Sequence, residues 1–313
     1  MRIFVAGAAG ALGKQLLPRL VGGGHEVTGM TRSESGAATV RGLGATAVVA
    51  DGLDPEKVAS SVAESNPDVI VHELTALAGS PDMRHWDKYF EVTNRLRTEA
   101  TDHLLAAGRA VGVRRFVAQS YAGWPYARVG GPVKTEEDPL DPDPVRAMSR
   151  THAAIRYLED NVTGAGWTEG IVLRYGGFYG PGTSMWTGGE ALEMIAKRKF
   201  PVVGDGEGVW SFVRIDDAAE ATLLAIEGGK RGVFNVVDDS PEPVREWLPG
   251  MAKALGAPAP RHVPRWLGRL FTGEAGVAMM TEVRGASNEK AKRELGWQPR
   301  FPSWREGLAE VAK

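Results

Sequence analysis

The sequence contains no cysteine. That absence removes disulfides, thiolate nucleophiles and sulfur metal ligands together, and it fits a reducing cytosol without requiring one. Charge of one sign is also lacking. Lysine and arginine number 37 against 39 aspartates and glutamates, a formal net charge of -2, and no basic run occurs. Neither nucleic acid nor an anionic membrane is therefore indicated as a partner. The histidines, His25, His72, His85, His103, His152 and His262, show no ligand spacing, so no metal is expected. No apolar stretch approaches the ~18 residues of a membrane span, and the first residues enter a strand-like run instead of a charged-then-apolar leader. The expected location is the cytoplasm.

What the chain does have is material for a large core: 313 residues, 43% hydrophobic and 24% charged. Short apolar runs recur at Ile3–Ala6, Glu26–Thr31, Ala45–Ala50, Asp68–His72, Arg115–Ser120 and Gly170–Tyr175. Between them lie segments of helical period, one near 55–65 and a long one from about Asp87 to Ala110. Such alternation predicts an α/β fold with a parallel sheet wrapped by helices, and ligands bind such sheets beyond the carboxyl ends of the strands. After residue 176 glycine pairs punctuate shorter elements, which predicts a smaller lid. Glu136–Pro144, with its Asp-Pro pairs, reads as an exposed loop.

The most informative local feature is Gly7-Ala8-Ala9-Gly10-Ala11-Leu12-Gly13, directly after the first apolar run and before a helix-like segment. Glycines let the backbone turn sharply and approach a ligand, and the helix then begins with unpaired N–H groups aimed at it. A dinucleotide pyrophosphate fits that cradle. Arg32, between Thr31 and Ser33 at the end of the second run, stands where the adenosine ribose should lie. A guanidinium there can grip a 2′-phosphate with help from the hydroxyls, which favours NADP(H), with NAD as the second choice. The alternative is a solvated surface arginine.

With Asp51, the run Leu173-Arg174-Tyr175-Gly176-Gly177-Phe178-Tyr179-Gly180-Pro181-Gly182, Phe212–Asp217 and the C-terminal Lys290–Pro299, the glycine turn makes the chain resemble the extended short-chain dehydrogenase/reductase family, the NAD(P)-dependent epimerases and dehydratases. The resemblance implies a doubly wound Rossmann-type sheet over 1–175 and a mainly substrate-binding region over 176–313, some of whose segments return to the core. It implies cofactor contacts at Gly7, Gly10, Ala11, Leu12 and Gly13 around the pyrophosphate and at Thr31, Arg32, Asp51 and Gly52 around the adenosine. Leu74, Thr75, His152 and Tyr175 are expected nearer the nicotinamide. Family members often dimerise through the helices that correspond to 87–110 and 145–160, which makes a homodimer an open expectation.

The departures from the family bear on chemistry. Its reactive Tyr-x-x-x-Lys pair falls on Met148 and His152. Methionine cannot move a proton; His152 can bind ribose hydroxyls, act as an acid or base, or simply be a partly exposed helix histidine. The slot of the family's third catalytic group holds Tyr121, read either as a proton donor or as an aromatic wall, with Ser120 and Tyr126 as other donors. Where nucleotide-sugar members carry a phosphate-binding arginine, this chain has Trp210. With Trp124, Tyr126, Tyr179 and Trp186 it suggests a pocket for a ring-bearing, largely apolar molecule, against the plain alternative of loop packing. Glu73, after His72, is read as facing solvent, with a functional base as the alternative. The leading function is an NADP(H)-dependent reductase or dehydrogenase of a small carbonyl compound. A redox-silent NAD(P)-binding sensor and a sugar epimerase or dehydratase are the alternatives.

Overall fold

A run such as Ile3-Phe4-Val5-Ala6 has no polar alternation, and a strand of that kind is stable when both its faces are covered. In the computed structural model, which describes residues 1–77 and 82–309, β1 (Arg2–Ala6) lies in the interior of a seven-stranded sheet. β2 (Glu26–Thr31) and β3 (Thr46–Val49) follow on one side of it. On the other side come β4 (Val69–His72), β5 (Arg115–Tyr121), the strand Glu169–Tyr175 and finally Gly232–Val236. All pairings in this sheet are parallel. The strand order reverses at β1, and a crevice for a ligand opens beyond the carboxyl ends of β1 and β4. This is the doubly wound Rossmann-type sheet that the alternation of runs predicted.

Side-chain alternation along β1 divides the core in two. Ile3 and Val5 face Leu12, Leu16, Leu17 and Leu20 of α1 (Ala11–Gly22), whereas Phe4 and Ala6 face Val58 and Val62 of α3 (Pro55–Ser65). Local chemistry sets several ends. Ser33 caps α2 (Glu34–Gly42) by accepting from the Gly36 N–H at 3.1 Å, and Asp54 caps α3 from a site just before Pro55.

Two expectations are corrected. The helix predicted over 87–110 is broken into α4 (Trp86–Arg95), a π turn at Leu96–Ala100, and α5 (Thr101–Val111). The wide turn lets Leu96 and Arg97, adjacent in sequence, both face inward. The loop 136–144 is not simply exposed: Asp141 is buried against Arg128 at 2.7 Å, and the Glu136 carboxylate accepts from the Asn235 N–H at 2.6 Å. Beyond residue 176 the strand Gly232–Val236 returns to the sheet, while Tyr179, Phe212, Trp247 and Trp304 build a separate cluster. Among the described residues no helix is long and apolar enough to cross a membrane.

Candidate active site

The glycine turn sits at the crevice between β1 and β4, where Gly7 N–H and Glu73 N–H tie it to neighbouring strands through Met30 O and Ala6 O. Gly7 has φ +93°, and a Cβ there would lie 2.7 Å from the Glu73 carbonyl oxygen. A Cβ on Gly13 would lie 2.3 Å from the Ala8 carbonyl oxygen, so α1 can approach β1 only with glycine at that site. Gly10 is exposed and faces the open side. It precedes α1 with no side-chain cap and no acidic residue in the first turn, which leaves the amides of Ala11, Leu12 and Gly13 for an incoming acceptor. Backbone this closely packed on one side and open on the other fits a dinucleotide pyrophosphate.

At the end of β2 the Arg32 side chain is exposed and makes no hydrogen bond or ion pair with described residues, while Ser33 is committed to capping α2 and Thr31 is half-buried. Asp51 is exposed and accepts from the Leu53 N–H at 3.0 Å. Gly52 is closed in by Leu74, which is itself buried, and Thr75 is half-buried on the segment that leaves β4.

At the other rim, β5 ends on Tyr121. Its ring lies 5.3 Å from that of Trp124, and the two line a narrow pocket with Trp210, Ser211, Met279 and Val283. Burial pushes the Tyr121 phenol up to about 12, against the pull of Arg97 and of the Trp124 indole. The phenol is therefore protonated at neutral pH. Trp210 donates its indole N–H to the Met279 carbonyl at 2.7 Å and packs 4.9 Å from Trp247. Trp186 lies away from this pocket's lining, half-buried beneath the Arg214 guanidinium.

α6 (Ser149–Gly164) brings the substituted pair to the same region. Met148 is buried among Trp86, Phe90 and Trp124 and acts as packing. His152 is only 4% exposed, which corrects the reading of a partly exposed helix histidine. Its ring lies 5.3 Å from Trp124, and its Nδ1 is buried with no hydrogen-bond partner. Burial lowers its pKa to about 4, so it is neutral and supplies no positive charge at pH 7.

Several hydroxyls expected in the site are committed elsewhere. Ser120 donates to Glu159 at 2.6 Å, and Glu159 is held by the Arg174 guanidinium in a buried pair. Tyr126 donates to Asn235 at 2.7 Å and accepts from Arg174 at 2.8 Å, so it belongs to the same interior network and is not a substrate contact. Tyr175 is fully buried with its oxygen 2.7 Å from Thr222 Oγ1; because Thr222 gives its own proton to Ala218 O, Tyr175 is the donor. Tyr179 is closed in beside Gly307. The Ser120, Tyr126 and Tyr175 hydroxyls are thus each taken up by an interior partner, whereas the Tyr179 hydroxyl is buried without a hydrogen-bond partner among the described residues. Glu73 is corrected as well. It is 6% exposed, both oxygens lack a partner in hydrogen-bonding geometry, and burial holds its carboxyl well above the usual carboxylate range, with the nearby Tyr175 hydroxyl pulling the other way.

One charged residue escaped the sequence reading. Arg97, on the π turn, is 4% exposed, its Nη1 is buried without a partner, and its guanidinium lies 6.0 Å from the Phe90 ring. The signal was available: Arg97 continues the inward stripe of Trp86, Phe90, Thr93 and Leu104 at spacings of three, four and seven.

A model of the NAD dependent epimerase/dehydratase family matches residues 3–236. The chain is 43% identical to a Streptomyces sp. protein named 3-diazoavenalumate denitrifying reductase, over 98% of this chain and 99% of that one. It is 28% identical to 4-hydroxy-2-methyl-3-oxo-4-farnesyl-3,4-dihydroquinoline-1-oxide ketoreductase of Stigmatella aurantiaca, over 96% and 92% of the two chains. Among solved structures it is similar to UDP-glucose 4-epimerase of Thermus thermophilus in complex with NAD, with TM-score 0.74, 27% identity and coverage of 100% and 98%.

Proposed function

The chain belongs to the NAD dependent epimerase/dehydratase family and is an NAD(P)-dependent enzyme of the oxidoreductase kind; within that family we propose that it is an NADP(H)-preferring reductase of a small, ring-bearing substrate, with Tyr121 as proton donor. The observation that carries this reading is the protonated Tyr121 phenol among Trp124 and Trp210 at the end of β5. Around it Met148 has no transferable proton, His152 is held neutral with a pKa near 4, and Ser120 and Tyr126 are bonded into the interior. The faces of Trp124 and Trp210 would offer a substrate ring apolar planes once the pocket between them, about 10 Å³ here, widens to admit it.

The amides of Ala11, Leu12 and Gly13 would hold the pyrophosphate, and Arg32 the 2′-phosphate. When bound, the reduced nicotinamide supplies hydride to an electrophilic atom of the substrate. Tyr121 then gives its proton to the atom that has gained the electron pair: the phenol O–H breaks as the new bond to hydrogen forms, and water reprotonates the phenolate. Positioning by the aromatic walls supplies much of the rate. The relatives named for reduction, one of a diazo compound and one of a keto compound, support a reductase. Trp210 argues against a nucleotide-sugar epimerase, because an indole already bonded to Met279 offers a diphosphate no charge.

The test is consumption of NADPH or NADH, followed by the reduced-nicotinamide absorbance, with a panel of aryl ketones, enones, imines and diazo carboxylates. Turnover of at least one, faster with NADPH, is the expected outcome. If no compound consumes cofactor although NADPH raises the melting temperature, the redox-silent reading replaces this one.

A further inference from the structure

A buried guanidinium is costly unless its donors are met, and buried charges in proteins are ordinarily paired. Arg97 breaks that rule. Its side chain makes no hydrogen bond or ion pair with any described residue, and its Nη1 is sealed from solvent without an acceptor. Glu159, the carboxylate that acts on Arg97 electrostatically, is engaged by Arg174 and Ser120, so their charges cancel and that of Arg97 is unmatched. The other titratable groups around it are neutral at pH 7. His72 on β4 is pushed to about 4 by burial and bonds to Leu96 O and Thr101, His152 on α6 is likewise near 4, and Tyr121 on β5 is protonated. Burial, against the pull of Glu159 and Tyr121, lowers Arg97 itself to about 10, where it still carries its charge.

The aromatic contacts place that charge against the buried cluster to which Phe90, Trp124 and Tyr121 belong, and Arg97 and the Tyr121 phenol interact electrostatically. Arg97 sits over Phe90; Phe90 lies 6.4 Å from Trp124; and Trp124 lies 5.3 Å from both Tyr121 and His152. We propose that Arg97 is a positioning residue of the reaction site, supplying the positive charge beside the Tyr121 hydroxyl that His152 does not supply. The inference rests on Tyr121 as proton donor. As the phenol loses its proton to the reduced substrate, the developing phenolate is stabilised by this cation across a largely apolar interior, where a charge acts more strongly than in bulk water. A π turn that turns an arginine inward onto Phe90, with no hydrogen-bond or ion-pair partner among the described residues, is an arrangement that packing alone does not favour.

The experiment compares Arg97→Met, Arg97→Lys and Tyr121→Phe in the full chain, using the fastest substrate of the panel above. Arg97→Met should lower kcat roughly 10²-fold with KM within about twofold. Arg97→Lys should recover about tenfold of that loss. Two readouts need no substrate. The melting temperature of Arg97→Met without cofactor should hold or rise, since an apolar side chain replaces an unmatched buried charge; a fall would make Arg97 structural and overturn the proposal. The affinity ratio for NADP⁺ against NADPH, read by tryptophan quenching, should shift several-fold toward NADP⁺, because a cation at this rim opposes the positive oxidised nicotinamide; an unchanged ratio would also overturn it. If Tyr121→Phe turns over like wild type, the donor reading falls and the role of Arg97 with it. If Tyr121→Phe is impaired while Arg97→Met keeps its kcat, only the Arg97 role falls.

Discussion

The two rims of the crevice are built by different means. On the cradle side, residues 7–13 act through the backbone: glycines that admit no Cβ, and helix amides left uncapped. On the side where we place the reaction, Tyr121, His152, Trp210 and Arg97 arrive from four separate segments, and burial sets the ionisation of Tyr121, His152 and Arg97. The first kind of site is local and tolerates little change, whereas the second can exchange residue types while the surrounding fold is kept. A cradle with the family's glycines can therefore stand beside a reaction rim that lacks the family's tyrosine and lysine.

The contrast can be broken most severely at the cradle. Gly13→Val would drive a side chain into the Ala8 carbonyl, 2.3 Å from where its Cβ must sit. It is expected to cost at least about 3 kcal/mol of stability and to abolish saturable cofactor binding. A variant that melts and binds like wild type would mean that the helix does not depend on this close approach. Next in size, Tyr121→Phe should reduce kcat about 10²-fold while cofactor affinity stays within about twofold. Equal losses in both would erase the division between the rims. Arg32→Ala, which touches only the adenosine end, should weaken NADPH binding by about 1.5–2 kcal/mol and leave NADH almost unchanged, as titration of each cofactor would reveal; parallel losses would reject the 2′-phosphate assignment.

The smallest expected effect concerns pH. His72 and His152 have folded pKa values near 4, below the ordinary 6.5, so each favours the folded state fully above about 6.5 and loses that contribution as pH falls toward 4. Lowering the pH from about 7 to about 5.5 should cost about 1 kcal/mol per histidine, a decline of a few degrees in melting temperature for each. In His152→Gln about half of that decline should disappear. A decline identical to that of wild type would mean that His152 is not held neutral by burial.

Legibility in the sequence followed the same division. β1 and β4 announced themselves because a buried parallel strand is a continuous apolar run, whereas the caps at Ser33 and Asp54 emerged only with the structure. The break in the predicted 87–110 helix was not legible, since a π turn keeps helical periodicity on both sides and adds only one residue between them. Tyr126, Tyr175 and Tyr179 stand in motifs that point to the site, yet each hydroxyl or ring is enclosed by residues distant in the chain: Asn235, Thr222 and Gly307. Glu73 looked like a solvent carboxylate for want of any neighbouring cue, and only its burial in the folded chain holds its carboxyl above the usual carboxylate range.

The sequence by itself determined the sheet, the glycine cradle and the absence of the family's proton-transferring pair, because these depend on residue type at fixed spacing along the chain. Tertiary structure decided which polar groups remain free. Ionisation and hydrogen-bond supply depend on what packs around a side chain: Ser120 is consumed by Glu159, His152 is neutral, Tyr121 stays protonated, and Arg97 is buried with an unmet donor. None of those neighbours can be read from the local sequence, since folding gathers them from β5, α6, the strand Glu169–Tyr175 and a single wide turn.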